Sequence, residues 1–272
     1  MTMATTTTPP ASTPTRGHGT AAKRARFVHA VAFEWIKIRS IRSTWWTLFA
    51  ASVITVGAGM PGGGQAHPGD STTTVLRGIF AGLPLGQVAV CLFGVLAATS
   101  EYGTGSIRST FTAVPQRPRL LAAKALVVFA VSLVTGLLIS FATYTVGSLA
   151  LGAHVAHPAL SDGAVLRAVV GGGCYLGVLG VFALVLGLVL RASAGGITTA
   201  VSVTLILPIV FSMMGSSGKL LFTWWPTEAG QQIFRVTPSP EDLAPLPGFG
   251  YFTALTLVAL IGATALVNRR DA

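Results

Sequence analysis

The stretch RAVVGGGCYLGVLGVFALVLGLVLR, Arg167 to Arg191, has no charged residue between its terminal arginines. About 20 helical residues at about 1.5 Å each cross the roughly 30 Å hydrocarbon core of a bilayer, so Ala168 to Leu190 is long enough to span it. Five further runs repeat the pattern: Thr44 to Gly62, Ile79 to Thr99, Ala125 to Ser148, Ala194 to Met214 and Gly248 to Val267. None of the six contains Asp, Glu, Lys, Arg or His. The run from Thr44 is the weakest, because glycines from Gly57 onward and Pro61 fray its far end. Hydrophobic residues make up 51% of the chain and charged residues 10%, against about 25% charged in an average soluble domain. That composition cannot supply the polar skin of a soluble globule. The expected fold is all-α and integral to the membrane, with six transmembrane helices.

The cations give the orientation, because Lys and Arg concentrate in cytoplasmic loops. Seven precede the first span: Arg16, Lys23, Arg24, Arg26, Lys37, Arg39 and Arg42. Arg108, Arg117, Arg119 and Lys124 lie between the second and third, Arg191 between the fourth and fifth, and Arg269 and Arg270 after the sixth. The alternate gaps hold Arg77, Arg167, Lys219 and Arg235, a ratio of fourteen to four. Six spans then put both termini in the cytoplasm. The net charge of +10 is read as this bias facing an anionic leaflet, with membrane lipid and not nucleic acid as its partner. Cys91 and Cys174 both fall within spans and read as small packing residues.

Residues 1–25, with the run TTTTPPASTPT, have too few large apolar groups to offset chain entropy and are expected to be a disordered cytoplasmic tail. No apolar core or cleavage site follows to make them a signal peptide. Over 26–43, Phe27, Val31, Trp35, Ile38 and Arg42 recur at helical spacing beside Lys37 and Arg39. This predicts an amphipathic helix at the membrane surface; the alternative is a cytoplasmic extension of the first span. Trp45 and Trp46 mark the inner boundary of a membrane domain covering 44–267, followed by a short tail at 268–272. The outer gap 215–247 holds LLFTWWPTEAGQQIF, which suits either the outer interface or short helices packed inside the bundle. Thr227 is placed to cap a helix from Glu228 to Phe234. Pro84 and Pro208 predict kinks within spans, and the pairs Gly82/Gly86 and Gly173/Gly177 predict close helix contacts.

Enzyme chemistry finds no footing. There is no HExxH, no acidic cluster and no Cys/His spacing suited to zinc, so neither a catalytic residue nor a metal site is expected. Gly57, Gly59 and Gly62 match GxGxxG, but at the end of a span with no strand before it. The chain is not expected to bind ATP itself. Ion carriers place ionisable groups within the membrane, at about 2.5–3.5 kcal/mol each, and the six runs contain none. Their polar groups are mild. Gln87, Thr135, Tyr144, Tyr175 and Ser202 are candidates to line a path for an amphiphile, with interhelical hydrogen bonding as the bland reading of each.

The gap 101–124, EYGTGSIRSTFTAVPQRPRLLAAK, is too patterned for a bare connection. Gly103 and Gly105 interrupt the preceding helix, Ile107, Phe111 and Val114 share one side of about two turns from Ser106, and Pro115 ends them. Together with EWIKIRSIRSTWWT at Glu34 to Thr47, this segment resembles the permease subunits of type-2 ATP-binding-cassette exporters, especially compact bacterial ones. The resemblance covers Arg26 to Val267 and is most specific around Glu101, Tyr102, Gly105, Arg108, Pro115 and Arg117.

That resemblance implies that Ser106 to Val114 is a coupling helix seated in a cytoplasmic ATPase subunit, with Glu101, Tyr102, Gly105, Ile107, Arg108, Phe111, Pro115 and Arg117 at the contact. It also implies a second permease copy, identical or related, and short helices near Trp225 to Phe234 closing the outer end. ATP and magnesium would sit on the partner, none on this chain, and the location would be the bacterial inner membrane. The WWP at 224–226 departs from the smaller apolar residue that often precedes this proline. The rival readings are an ATPase-independent channel or secondary carrier, and a membrane scaffold without transport.

Overall fold

Runs free of charge and rich in Leu, Val and Ala can satisfy their backbone only internally when water is absent, and helices follow. A computed structural model of the chain describes residues 27–103, 117–155, 157–236 and 242–270, with backbone alone at 101–103, 117 and 270. All regular elements among the described residues are helical. In chain order they are α1 (Phe27–Ser40), α2 (Arg42–Gly64), α3 (Thr72–Ile79), α4 (Leu83–Gly103), α5 (Arg117–Leu149), α6 (Gly163–Leu190), α7 (Ser193–Val201), α8 (Leu207–Met213), α9 (Ser216–Trp224), α10 (Pro226–Gln231) and α11 (Pro245–Arg270).

Five helical stretches are long and apolar enough to cross a membrane: Thr72–Ser100, Pro118–Leu149, Gly163–Leu190, Ser193–Met213 and Pro245–Arg269. They cover the last five of the six expected runs, except Met214 at the end of the fifth. The first run lies in α2, a helix of 23 residues whose apolar character is diluted by Gly and Thr. Its far end does not fray at Gly57; the helix continues through Pro61 to Gly64. The reason lies in tertiary contact. A Cβ on Gly62 would stand 2.0 Å from the Gly78 carbonyl oxygen, and one on Gly63 would stand 2.2 Å from that of Gly147. Glycine there lets α2 touch backbone on two neighbours at once.

Ile41, with extended backbone at φ −89° and ψ 91°, separates α1 from α2, so α1 is an element of its own. Its protein-facing side is Ala30, Glu34 and Ile38, while Phe33, Trp35 and Ile36 are exposed. Pro84 does not kink α4 in its middle. A 3-10 turn, Phe80–Gly82, precedes α4, and the Phe80 carbonyl that Pro84 cannot serve accepts instead from the Leu83 N–H.

At the centre stands α6, buried along most of its length and packed against α4, α5, α7 and α11. Asp162 caps its start through a 2.9 Å bond from Ala164 N–H, and Arg191 ends it in the left-handed conformation at φ 54°. Lipid is as apolar as leucine, so helices here gain from close packing rather than from escaping water. The glycines carry that packing. Gly173 and Gly177 lie against Leu137 and Leu133 of α5, Gly94 of α4 lies against the Gly180 carbonyl of α6, and Gly82 and Gly86 lie against Thr55 of α2. Both predicted small-residue pairs thus make contacts within the chain.

Candidate functional site: a buried polar cluster beside a broken helix

The run Ser193–Met213 is not one continuous α-helix. A π-helical turn, Ser202–Ile206, joins α7 to α8, with Leu207 N–H bonded to the Ser202 carbonyl five residues back. In that register the next donor should serve Val203, but the next residue is Pro208, which has no N–H. The Trp225 indole Nε1–H supplies the missing bond to the Val203 carbonyl at 2.7 Å. Its ring also meets Phe211 edge-on, with centroids 5.0 Å apart. Proline thus produces the predicted interruption as a π-turn, and the WWP tryptophan is the group that fills it.

Trp225 fixes the start of α10. Its backbone is the N-cap and Pro226 occupies the first helical position, where the missing N–H costs nothing. Thr227 is therefore inside the first turn and not the cap: it is fully buried, and its hydroxyl has no hydrogen-bond partner among the described residues. The segment Pro226–Gln231 continues as a 3-10 turn, Gln232–Phe234, and residues 227–234 are all buried. Of the two arrangements the sequence allows for this gap, packing inside the bundle describes α10; α9, by contrast, is mostly exposed. Gly230 and Gly248 permit the approach, since Cβ atoms there would stand 2.6 Å from the Phe252 ring and 2.5 Å from the Ala229 carbonyl oxygen.

Burying α10 carries Glu228 inside. Its Oε1 accepts from Gln231 Nε2 at 2.8 Å and its Oε2 from Arg235 Nη2 at 2.8 Å. Asp242 Oδ2 lies 3.9 Å from the other Arg235 nitrogen. Burial pushes the Glu228 carboxyl above its ordinary range, and the Arg235 guanidinium offsets part of that rise. Arg167, at the start of α6, donates to the Arg235 and Val236 carbonyls at 3.3 and 3.4 Å. The arrangement ties α6, α10 and the following turn into one unit.

The expected path residues do not form a single lining. Gln87 and Tyr175 are fully buried and stand at one level of the α4–α6 contact, between Leu83 against Gly172 and Val90 against Gly180. The Tyr175 ring packs on Phe234 and Phe252, with centroids 5.6 and 5.7 Å away. Neither amide atom of Gln87 has a hydrogen-bond partner among the described residues. Tyr144 is committed elsewhere, its hydroxyl donating to the Pro158 carbonyl at 2.5 Å. Thr135 and Ser202 are half-buried on α5 and in the π-turn. Near Ser202, Thr204 reaches α4, its Oγ1 3.9 Å from Cys91 Sγ.

Of the expected coupling contact, Gly105, Ile107, Arg108, Phe111 and Pro115 lie outside the described residues. Glu101 and Tyr102 are in the last turn of α4, and Arg117 opens α5. Close by is a pair that sequence reasoning missed. Lys124 Nζ of α5 meets Glu34 Oε2 of α1 at 2.9 Å and the Ala97 carbonyl of α4 at 3.4 Å. Both side chains are nearly inaccessible, at 3% and 1% exposure. The spacing of Glu34 with Ala30 and Ile38, one side of a helix, was the available signal. For Glu228 and Gln231 it was the same, a step of three on one helical face; Arg235 follows the 3-10 turn on extended backbone, and no helical spacing points to it.

No family model matches the chain, and no curated protein matches it.

Proposed function

We propose that this chain is the membrane-spanning permease subunit of an ATP-driven exporter, with six spans, both termini cytoplasmic, and ATP hydrolysis on a separate cytoplasmic subunit. The observation that carries the reading is the corner where α1, α4 and α5 meet. The segment that resembles a coupling helix joins the ends of α4 and α5, and the buried Glu34–Lys124 pair locks α1 onto that same pair of helices. A push on the segment would reach three helices together, which is what a rigid lever needs. Two copies would enclose the path, and α10, packed against α6 and α11 and tied by Trp225 to the π-turn, would close its outer end. Nucleotide binding would bias the bundle between inward-open and outward-open states.

The test is to purify the tagged chain in mild detergent from its own host. A nucleotide-hydrolysing chain should accompany it, and replacing Glu101, Arg108 or Phe111 should reduce its retention or ATPase turnover. No such companion, or unchanged retention and turnover in all three variants, overturns the reading. The buried Glu228 favours one second reading, an ion-coupled carrier, because a shielded carboxyl can exchange a proton. Its two hydrogen bonds support a fixed structural pair instead. Cargo movement in vesicles holding this chain alone, driven by a proton gradient, would decide for the carrier.

A further inference from the structure

A cavity of about 210 Å³ lies between α1, α2 and α4, and its wall is sorted by polarity. At one end are Glu34, Lys37, Ser43 and Thr44; at the other are Leu48, Ala89 and Phe93. The wall on α4 runs from Ala89 to Ser100, about 16 Å of helix at about 1.5 Å per residue, close to the roughly 15 Å of one leaflet. A slot one leaflet deep, apolar inside and polar at its rim, matches the depth and the polarity order of one lipid acyl chain below its headgroup.

The polar end states which lipid. Glu34 is 1% exposed, and only Oε2 is engaged by Lys124; Oε1 has no hydrogen-bond partner among the described residues. A buried carboxylate oxygen needs a donor, and a cationic donor makes the stronger bond. Lys37 lines the same end of the cavity, and Arg39 and Arg42 are exposed on the neighbouring stretch of chain, so cations that attract a lipid phosphate gather on this side. We infer that the cavity is a binding site for a zwitterionic phospholipid with a primary ammonium headgroup. The ammonium donates to Glu34 Oε1, the phosphate faces Lys37, and an acyl chain fills the space along Leu48, Ala89 and Phe93. A quaternary ammonium lacks the N–H, and an anionic lipid without an ammonium brings like charge to the carboxylate. The site needs membrane insertion but no ATPase partner, so it stands or falls apart from the exporter reading.

The full chain, stripped of lipid in detergent, is offered equal amounts of phosphatidylethanolamine, phosphatidylcholine and phosphatidylglycerol with the same acyl chains, and retained lipid is read by native mass spectrometry. Phosphatidylethanolamine should be retained about tenfold over the other two, as one charge-assisted hydrogen bond predicts. Glu34→Gln should erase the preference. Leu92→Trp, which fills the slot without touching the ion pair, should abolish retention while leaving the unfolding midpoint in lipid-free detergent unchanged. Equal retention of the three lipids, preference for phosphatidylglycerol, or selectivity that survives both substitutions overturns the inference. A dimer that covers the cavity and retains no lipid does so as well, and assigns the face to a second copy.

Discussion

At Trp225 a single N–H decides the geometry of a whole helix pair. Proline at 208 leaves the Val203 carbonyl without its backbone donor, and the indole replaces it. Trp225→Phe keeps a ring against Phe211 but removes the donor. Thermal unfolding in detergent should report a loss of about 1–3 kcal/mol, the cost of an unsatisfied buried acceptor. Glu228 gives a second expectation, in pH. Its carboxyl is raised in the folded protein, so the folded state holds the proton more tightly than the unfolded chain. The contribution is complete below the ordinary carboxylate range and is lost as pH rises through the raised value. The melting temperature of the native chain should therefore fall across that window relative to Glu228→Gln, which has no proton to lose. Parallel pH profiles for the two proteins would refute it.

Elements in this bundle meet through glycine, and the glycines are not equivalent. Gly62 has the Gly78 carbonyl in the place of its missing side chain, whereas nothing lies within 4 Å of a Cβ at Gly57, less than two turns away. Gly62→Ala should destabilise by about 1–3 kcal/mol through overpacking. Gly57→Ala should be neutral or stabilising by up to about 1 kcal/mol, since alanine is the better helix former. Denaturation of both variants side by side checks the contrast; similar losses would mean that α2 does not depend on that approach. The α1 helix is held differently, by the buried Ala30 and Ile38 and by one ion pair. Breaking such a buried pair by removing one partner typically costs about 3–5 kcal/mol, because the remaining charge is stranded. That makes α1 a firm part of the bundle although most of its apolar side chains face outward.

On the scale of the molecule, apolar side chains are exposed along α2, the π-turn, α8 and α11, among them Phe49, Ile54, Ile206, Ile209, Val258 and Ile261. Such a surface suits lipid on some faces and leaves room for a second copy on others. The cation bias predicts the side of the membrane on which each end stands. With Cys91 and Cys174 replaced, a cysteine at Asp70 or Ser161 should react with an impermeant maleimide on intact cells, and one at Ser40 should react only after permeabilisation. The reverse pattern would invert the bundle and remove the cytoplasmic lever with it.

Helix content and the apolar runs were legible because uncharged length is a local property, written residue by residue. The role of α6 as centre was not, although its run is the cleanest, because centrality depends on which neighbours present glycine to it. Pro208 announced an interruption, but only the packed structure supplied Trp225 as the partner that converts it into a π-turn. Glu34, Lys124 and Glu228 lie outside the uncharged runs, and the sequence names no partner for any of them. Tertiary packing buries them, since Glu34 and Lys124 meet from distant parts of the chain and Glu228 meets Arg235 just past the 3-10 turn. Local composition therefore determined that this chain is a helical bundle with a membrane's dimensions. The placement of its few charges, and with it any lever, gate or lipid slot, was decided by contacts that composition does not encode.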